Sequence, residues 1–435
     1  MPRYWTTAGS GTRCKITLEQ LADVEQQLAV RMIENFELDI SALALDMTNF
    51  ATYTDTGNDK APIAQRGKAK QKRSDLRLVG LGLVVTRDGG VPLVSHAYPG
   101  NRPDVTQFAA MIDLLSARHA ALASHTGAAG SAEMTVVFDA GQNSVANVAH
   151  LTDTGLAFVG SIPPSDCPDL LALPAADRTV VDADRFAGLS ALETRRVVYG
   201  TERRVILTHS PSLHAAQQAG FAQTLAKALA KLSELSDTLA RGKTRRAAAK
   251  VTAAIATITA DPWLPRVLRT ELTGATPAEH RLSITVDEQA RQALEDEVFG
   301  KRILVTIQDH WPVAEVIAAY RSQSDAEFGF RQLKDPRVVS FSPMHHWTEH
   351  NIRVHTFTCV LALQIAHLMR HQAGHAGQHL SVRELLTQLA GIQETVLIYP
   401  STGGRPKAHR MLTQTSPVQD QLARIFDLNR WAPRA

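Results

Sequence analysis

Three carboxylates stand where an oxygen-only metal site would need them. Asp46 lies inside the apolar run Ala42-Leu43-Ala44-Leu45-Asp46-Met47-Thr48-Asn49-Phe50, whose alternation sets it on the face opposite Leu45. Asp139 ends a second apolar run, Glu133–Asp139, and Glu327 lies on a helix predicted over Val313–Leu333. Two strand carboxylates and one helix carboxylate can meet at one sheet edge. Close carboxylates repel unless cations separate them. Hard oxygen ligands select Mg²⁺ or Mn²⁺ over zinc, and two such ions about 3.5–4 Å apart suit phosphodiester chemistry. Taken singly, each residue fits a strand end or a solvated helix position equally well.

The helix around Glu327 carries the densest pattern. Tyr320, Glu327 and Lys334 are seven residues apart each time. Seven is nearly two helical turns, so the three share a stripe about 21 Å long, with Gln323 on the same face. A phenol, a carboxylate and an ammonium in a row suit a metal flanked by strand phosphates; they also suit a surface helix. Basic clusters point toward nucleic acid. Arg66, Lys68, Lys70, Lys72, Arg73 and Arg77 fall within twelve residues against Asp75 alone, and Arg241, Lys243, Arg245, Arg246 and Lys250 form a second group. Trp263 and Trp311 are candidates for base stacking, or for ordinary packing.

The segment Tyr320–Lys334 resembles the Tyr-x2-Arg-x3-Glu-x6-Lys signature of bacterial cut-and-paste insertion-sequence transposases with a DDE triad, the insertion-sequence-four superfamily. Tyr320, Glu327, Phe330, Arg331, Leu333 and Lys334 match one subgroup's variant of it. Leu45-Asp46-Met47-Thr48 is similar to the first-Asp strand, and the basic stretch with Ser74-Asp75-Leu76 before an apolar strand is similar to the segment after it. Gly100-Asn101 with Asp104, and Asp139-Ala140-Gly141, also fit. The resemblance implies Asp46, Asp139 and Glu327 as catalytic residues holding two Mg²⁺ ions, with Mn²⁺ able to substitute. It implies DNA contacts from Tyr320, Arg321, Gln323, Arg331 and Lys334, joined by Arg66, Lys68, Lys70, Lys72 and Arg73. Its activity would be cleavage at element ends, through a DNA hairpin, and strand transfer into target DNA by a homodimer bound to both ends. Two departures stand out. Gln323 occupies the signature's Arg position, where Arg321 or Arg331 would have to supply the charge. Only 45 residues precede Asp46, so the expectation is a copy lacking much of the N-terminal DNA-binding domain. A catalytically silent chain that inhibits by binding DNA or forming mixed dimers is the alternative, as is a nuclease of the same fold without strand transfer.

The elements that must position these residues read as an α/β chain. An amphipathic helix over 17–35 leads into strands at 42–50, 78–86 and 91–97, a helix at 105–124, and strands at 133–139 and 156–161. By resemblance this is an RNase H-like mixed sheet flanked by helices, with a large α+β insertion before the last catalytic helix. The expected divisions are an N-terminal helical segment (1–40), the first part of the catalytic core (41–164), an insertion (165–312), the second part of the core (313–400), and a basic C-terminal tail (401–435). The 187 residues between Asp139 and Glu327 leave room for the insertion.

Composition narrows the field further. At 435 residues, 44% hydrophobic and 20% charged, the chain suits globular domains rather than disorder or fibre. A net charge of +3 assigns any nucleic-acid affinity to local patches. Three scattered cysteines, Cys14, Cys167 and Cys359, fit a reducing compartment and rule out a CxxC zinc site. The N-terminus lacks a signal-peptide core, and the apolar stretch near Thr356–Met369 is interrupted by Gln364 and His367. The expectation is a soluble, cytoplasmic protein, nucleoid-associated when bound to DNA, with no membrane partner.

Overall fold

The computed structural model of the chain describes residues 16–68, 75–126, 134–241, 245–399, 403 and 407–431. Two compact units divide it: residues 1–159 with 317–435, and residues 160–316.

The first unit begins with helix α1 (Leu18–Phe36), started by a capping box in which Thr17 and Gln20 satisfy each other's backbone N–H groups. Strands β1 (Ala42–Thr52), β2 (Arg77–Thr86) and β3 (Pro92–Pro99) form an antiparallel meander. Helix α2 (Phe108–Thr126) crosses to β4 (Thr135–Phe138), which pairs parallel to β1. Helix α3 (Val145–Asp153) leads to β5 (Ala157–Ile162) beside β4. The strand order 3-2-1-4-5, mixed in sense and flanked by helices, is an RNase H-like sheet. The pair Gly80 and Gly82 has a packing cause. A Cβ at Gly80 would lie 2.0 Å from the Tyr98 ring, and one at Gly82 would lie 2.6 Å from Met111 Sδ. Both glycines let large side chains lie flat on β2.

The second unit is a sheet of β6 (Thr179–Val180), β7 (Ser190–Val198), β8 (Thr201–His209) and β11 (Lys301–Thr306), ordered 11-8-7-6 and antiparallel throughout. Short α4 (Pro168–Leu171) precedes it. Between β8 and β11 run the long α5 (Pro211–Ala240), α6 (Ala248–Ile258), α7 (Leu264–Val267), the hairpin β9 (Leu268–Thr273) and β10 (Arg281–Val286), and α8 (Glu288–Val298). Trp263 packs among Phe221 and Phe299, with ring centroids 6.1 and 5.1 Å away, so it serves a local aromatic core. Trp311 is half-buried, and its carbonyl accepts from Arg204 Nη1 at 2.7 Å.

The chain returns to the first unit through α9 (Val313–Arg321) and α10 (Gln323–Lys334). The sequence pattern predicts one helix here; the structure breaks it at Ser322. Ser322 Oγ donates to the Ala319 carbonyl at 2.6 Å, and its N–H is shared between the Ala318 and Ala319 carbonyls, which tightens the turn. Helix α11 (Glu349–His375) then packs into the core with Val360 and Leu363, alongside Phe330 and Leu333 of α10. Its length and apolar character match a membrane span, yet half of that window is buried inside the fold. Gln364 donates to the Pro92 carbonyl at 2.8 Å, so its polar interruption is satisfied within the core. Helix α12 (Val382–Ala390) and the exposed hairpin β12 (Glu394–Tyr399) and β13 (Lys407–Leu412) follow, then α13 (Pro417–Ile425). The stretch expected to be a loose basic tail thus contains a strand and a helix: Leu422 of α13 packs against Ala373 and Leu385.

Candidate active site at the carboxylate edge of the first unit

Strand β1 is buried along nearly its whole length, and Asp46 is the first of its side chains to reach solvent. Alternation puts Ala44, Asp46, Thr48 and Phe50 on one face. Ala44 and Phe50 belong to the same core as Ala326, Phe330 and Leu333, so this is the face covered by α10. Asp46 therefore looks toward the helix that carries Glu327. Its Oδ1 accepts the Met47 N–H at 2.7 Å, which fixes the side chain against its own strand.

Parallel pairing sets the second carboxylate. Leu43 pairs with Val136 and Ala44 with Val137. Two residues further along that register, Asp46 stands beside Asp139, on strands about 4.8 Å apart. Asp139 is exposed just past the end of β4.

Three contacts fix the helices over this edge. Tyr320, only 6% exposed, donates its hydroxyl to Asp139 Oδ1 at 3.0 Å. Gln323 Nε2 donates to the Leu45 carbonyl at 2.7 Å, next to Asp46. Lys334 Nζ reaches Thr48 Oγ1 at 3.3 Å and lies 5.2 Å from the centre of the Phe50 ring. Helix α10 thus runs along β1 from Leu45 toward Phe50. Glu327, one turn beyond Gln323, sits over the Asp46 part of the strand with its side chain exposed. Asp46 and Asp139 thus lie on neighbouring strands and Glu327 on the helix packed over β1, and no group of three or more His, Cys, Asp or Glu side chains among the described residues is placed to hold a metal ion.

The remaining sequence candidates separate clearly. Gln323 is 8% exposed, and its amide N–H is committed to the backbone of β1, which holds the helix down. Arg321 and Arg331 are exposed, and Arg331 lies over the Phe328 ring at 5.6 Å. Arg66 and Lys68 are exposed on the loop after β1, where Asn49 Nδ2 donates to the Lys68 carbonyl at 3.1 Å. This loop rides against Gly100: a Cβ at Gly67 would meet the Gly100 carbonyl oxygen at 2.4 Å, and a Cβ at Gly100 would meet Leu78 O at 2.0 Å. Gly100 is thus explained by close backbone approach. Lys70, Lys72 and Arg73 lie outside the described residues.

Two residues join the site that spacing alone does not assign to it. Thr48 receives Lys334, and Tyr98 donates to Asp104 Oδ1 at 2.7 Å. Burial holds the Tyr98 phenol well above its ordinary range, reinforced by the Asp104 charge and, to a lesser extent, by Asp46. The only sequence signal for this pair is Asp104 itself, in the loop after Gly100-Asn101.

The strand order and the acidic edge define an RNase H-like α/β protein. No family model matches the chain, and no curated protein matches it. Among solved structures it is similar to a cryo-EM structure of a piggyBac transposase synaptic complex with hairpin DNA, at 8% sequence identity and a TM-score of 0.38. That likeness covers 81% of this chain and 52% of the other, so the chain spans about half the length of that transposase.

Proposed function

We propose that the chain is a DDE transposase that cuts DNA at the ends of a mobile element and joins the released 3′ ends to target DNA. One observation supports this most directly: the two helices around Glu327 are bonded to the carboxylate strands, Gln323 to the Leu45 carbonyl beside Asp46 and Tyr320 to Asp139. The donor set is all carboxylate oxygen, which fits Mg²⁺ or Mn²⁺ at Asp46, Asp139 and Glu327. Such ions, when bound, supply acidity to the attacking water and stabilise the departing 3′ oxygen.

The chain's own residues do the positioning. Tyr320 orients the Asp139 carboxylate through the phenol hydrogen bond. Lys334, beside Thr48, offers a cation to the strand phosphates, and the exposed Arg321 and Arg331 extend that charge along the helices. Arg66 and Lys68 add phosphate contacts from the neighbouring loop. In the first step water attacks phosphorus and the 3′ oxygen leaves with a proton. In the second, that 3′ hydroxyl attacks a target phosphodiester, whose own 3′ oxygen leaves. Bond count is conserved in the joining step, so no nucleotide cofactor is required. A homodimer on paired ends, working in the cytoplasm, completes the reading.

A second reading has its own observation. The three carboxylates are not closed into a ligand cluster among the described residues, which favours a silent chain that binds DNA or partner chains. One assay separates them: Mg²⁺- or Mn²⁺-dependent cutting of DNA carrying the flanking ends of the coding sequence, by wild type and Glu327→Ala. Cutting that vanishes in the variant supports the transposase. A folded wild type that never cuts supports the silent chain, and cutting without joined products indicates a nuclease.

A further inference from the structure

The second unit holds a cavity of about 690 Å³ that the reading above leaves unused. Its wall brings together Arg178, His209, His214 and Lys301, with Asp296 and Glu297 also lining it. The sheet explains the meeting. His209 at the end of β8 pairs across with Lys301 at the start of β11, His214 lies in the first turn of α5, and Arg178 immediately precedes β6. Gly300 has φ +75, and a Cβ there would come within 2.8 Å of His209 Nε2, so glycine lets that ring lie close against the backbone.

The cavity's cations have no carboxylate at contact distance, although Glu297 and Asp296 act on Lys301 from further off. Lys301 is 7% exposed, and its ammonium donates to the Leu171 carbonyl at 2.6 Å, one of three available donors. Arg178 Nε and Nη1 are shut off from solvent with no hydrogen-bond partner. Among the described residues neither Arg178 nor Lys301 has a carboxylate within ion-pair range. The two acids are engaged elsewhere: Glu297 pairs with Arg266 at 2.6 Å, and Asp296 accepts from Gln292 at 3.0 Å. Burial, and then the Arg178 charge, hold both His209 and Lys301 below their ordinary ranges. Desolvated positive charge without a partner is costly, and an anion in the cavity offsets that cost.

We infer that this cavity is a phosphate-binding site, taking a phosphate monoester or diester group between Arg178 and Lys301. The Arg178 guanidinium, the Lys301 ammonium and the two imidazoles together suit the several oxygens of a phosphate. The volume admits a phosphate with a nucleoside attached. The phosphate can come from a free nucleotide or from a nucleic-acid strand. The inference does not depend on the role of Asp46, Asp139 and Glu327.

The test is calorimetric titration of the full chain with inorganic phosphate, comparing wild type, Arg178→Gln and Arg178→Lys, each checked by circular dichroism. Saturable binding that weakens about tenfold in Arg178→Gln and recovers in part in Arg178→Lys supports the site. Absence of saturable binding by wild type up to about 10 mM phosphate, or equal binding by wild type and Arg178→Gln, overturns it. The wild-type arm decides even where a variant misfolds. Competition then names the source. Displacement of phosphate by a single-stranded oligonucleotide assigns the site to a nucleic-acid strand; displacement by a deoxynucleoside monophosphate alone assigns it to a free nucleotide.

Discussion

The phenol of Tyr320 donates to the carboxylate of Asp139 across 181 residues of sequence, at 3.0 Å. It ties the helix preceding Glu327 to the strand end that carries the second carboxylate. The bond is made by a buried ring to an exposed acid, so it orients Asp139 without withdrawing it from solvent.

Tyr320→Phe removes that bond and keeps the ring. Stability should fall by about 0.5–1.5 kcal/mol in urea unfolding. If the proposed cleavage holds, its rate should fall roughly tenfold and the Mg²⁺ concentration for half-maximal cutting should rise, since Asp139 is then less well oriented. A cutting rate and Mg²⁺ dependence equal to wild type would remove Tyr320 from the site.

Gln323 is expected to matter for folding more than for ligands. Gln323→Leu fills similar space but leaves the Leu45 carbonyl without its donor, and should cost about 1–2 kcal/mol. Loss of the buried Oε1, which has no partner, softens that cost. DNA affinity measured by anisotropy should stay within about twofold of wild type. A large affinity loss with unchanged stability would instead make Gln323 a ligand contact.

Lys334→Met keeps an apolar stem over Phe50 and deletes the charge. Stability should change by less than about 0.5 kcal/mol. Affinity for DNA should drop, and the slope of log affinity against log salt should flatten by about one unit, the signature of one phosphate contact. An unchanged salt slope would show that the ammonium makes no phosphate contact.

How much of this was legible in the sequence differs by residue. Asp46 was legible because a lone carboxylate inside an unbroken apolar strand demands a reason. Glu327 was legible because Tyr320 and Lys334 repeat around it at helical spacing. The role of Gln323 was hidden: on a helical wheel it shares the face of Glu327, and only the close approach of α10 to β1 turns it inward. The break at Ser322 was hidden too, since the apolar period continues across it. The strand β7 escaped notice because one face of it is exposed with Glu193, Arg195 and Val197 and the other carries the polar Thr194 and Arg196, and the C-terminal strand and helix were masked by a basic, Gly-containing composition. The basic residues of the cavity lie at positions 178, 209, 214 and 301, brought together by the pairing of β8 with β11 and by the elements that flank it.

His367 offers a test of the core beneath the site. The ring is fully buried, with Nδ1 2.9 Å from the Gly89 carbonyl and Nε2 2.6 Å from Gln332 Oε1. Two carbonyl oxygens would suit a charged imidazole, but burial, with Arg370 adding, pushes the ring down to about 4. The neutral ring is the better account: Nδ1–H donates to Gly89, and the Gln332 amide turns its N–H to Nε2, an orientation that oxygen and nitrogen positions alone do not distinguish. The unfolded chain then takes up the proton near pH 6.5 while the folded chain resists it until about 4. Stability is therefore complete above pH 6.5, declines as pH falls through that window, and levels off below it, with a total loss of about 3 kcal/mol at most. Asp325, raised by burial, contributes the opposite slope at low pH, so the comparison must be with His367→Gln rather than with a flat line. Urea unfolding at pH 7.5, 6.5, 5.5 and 4.5 should show the decline in wild type and a shallower one in the variant. Equal slopes would mean that the ring takes up its proton alike in the folded and the unfolded chain, so that burial does not disfavour the charged form.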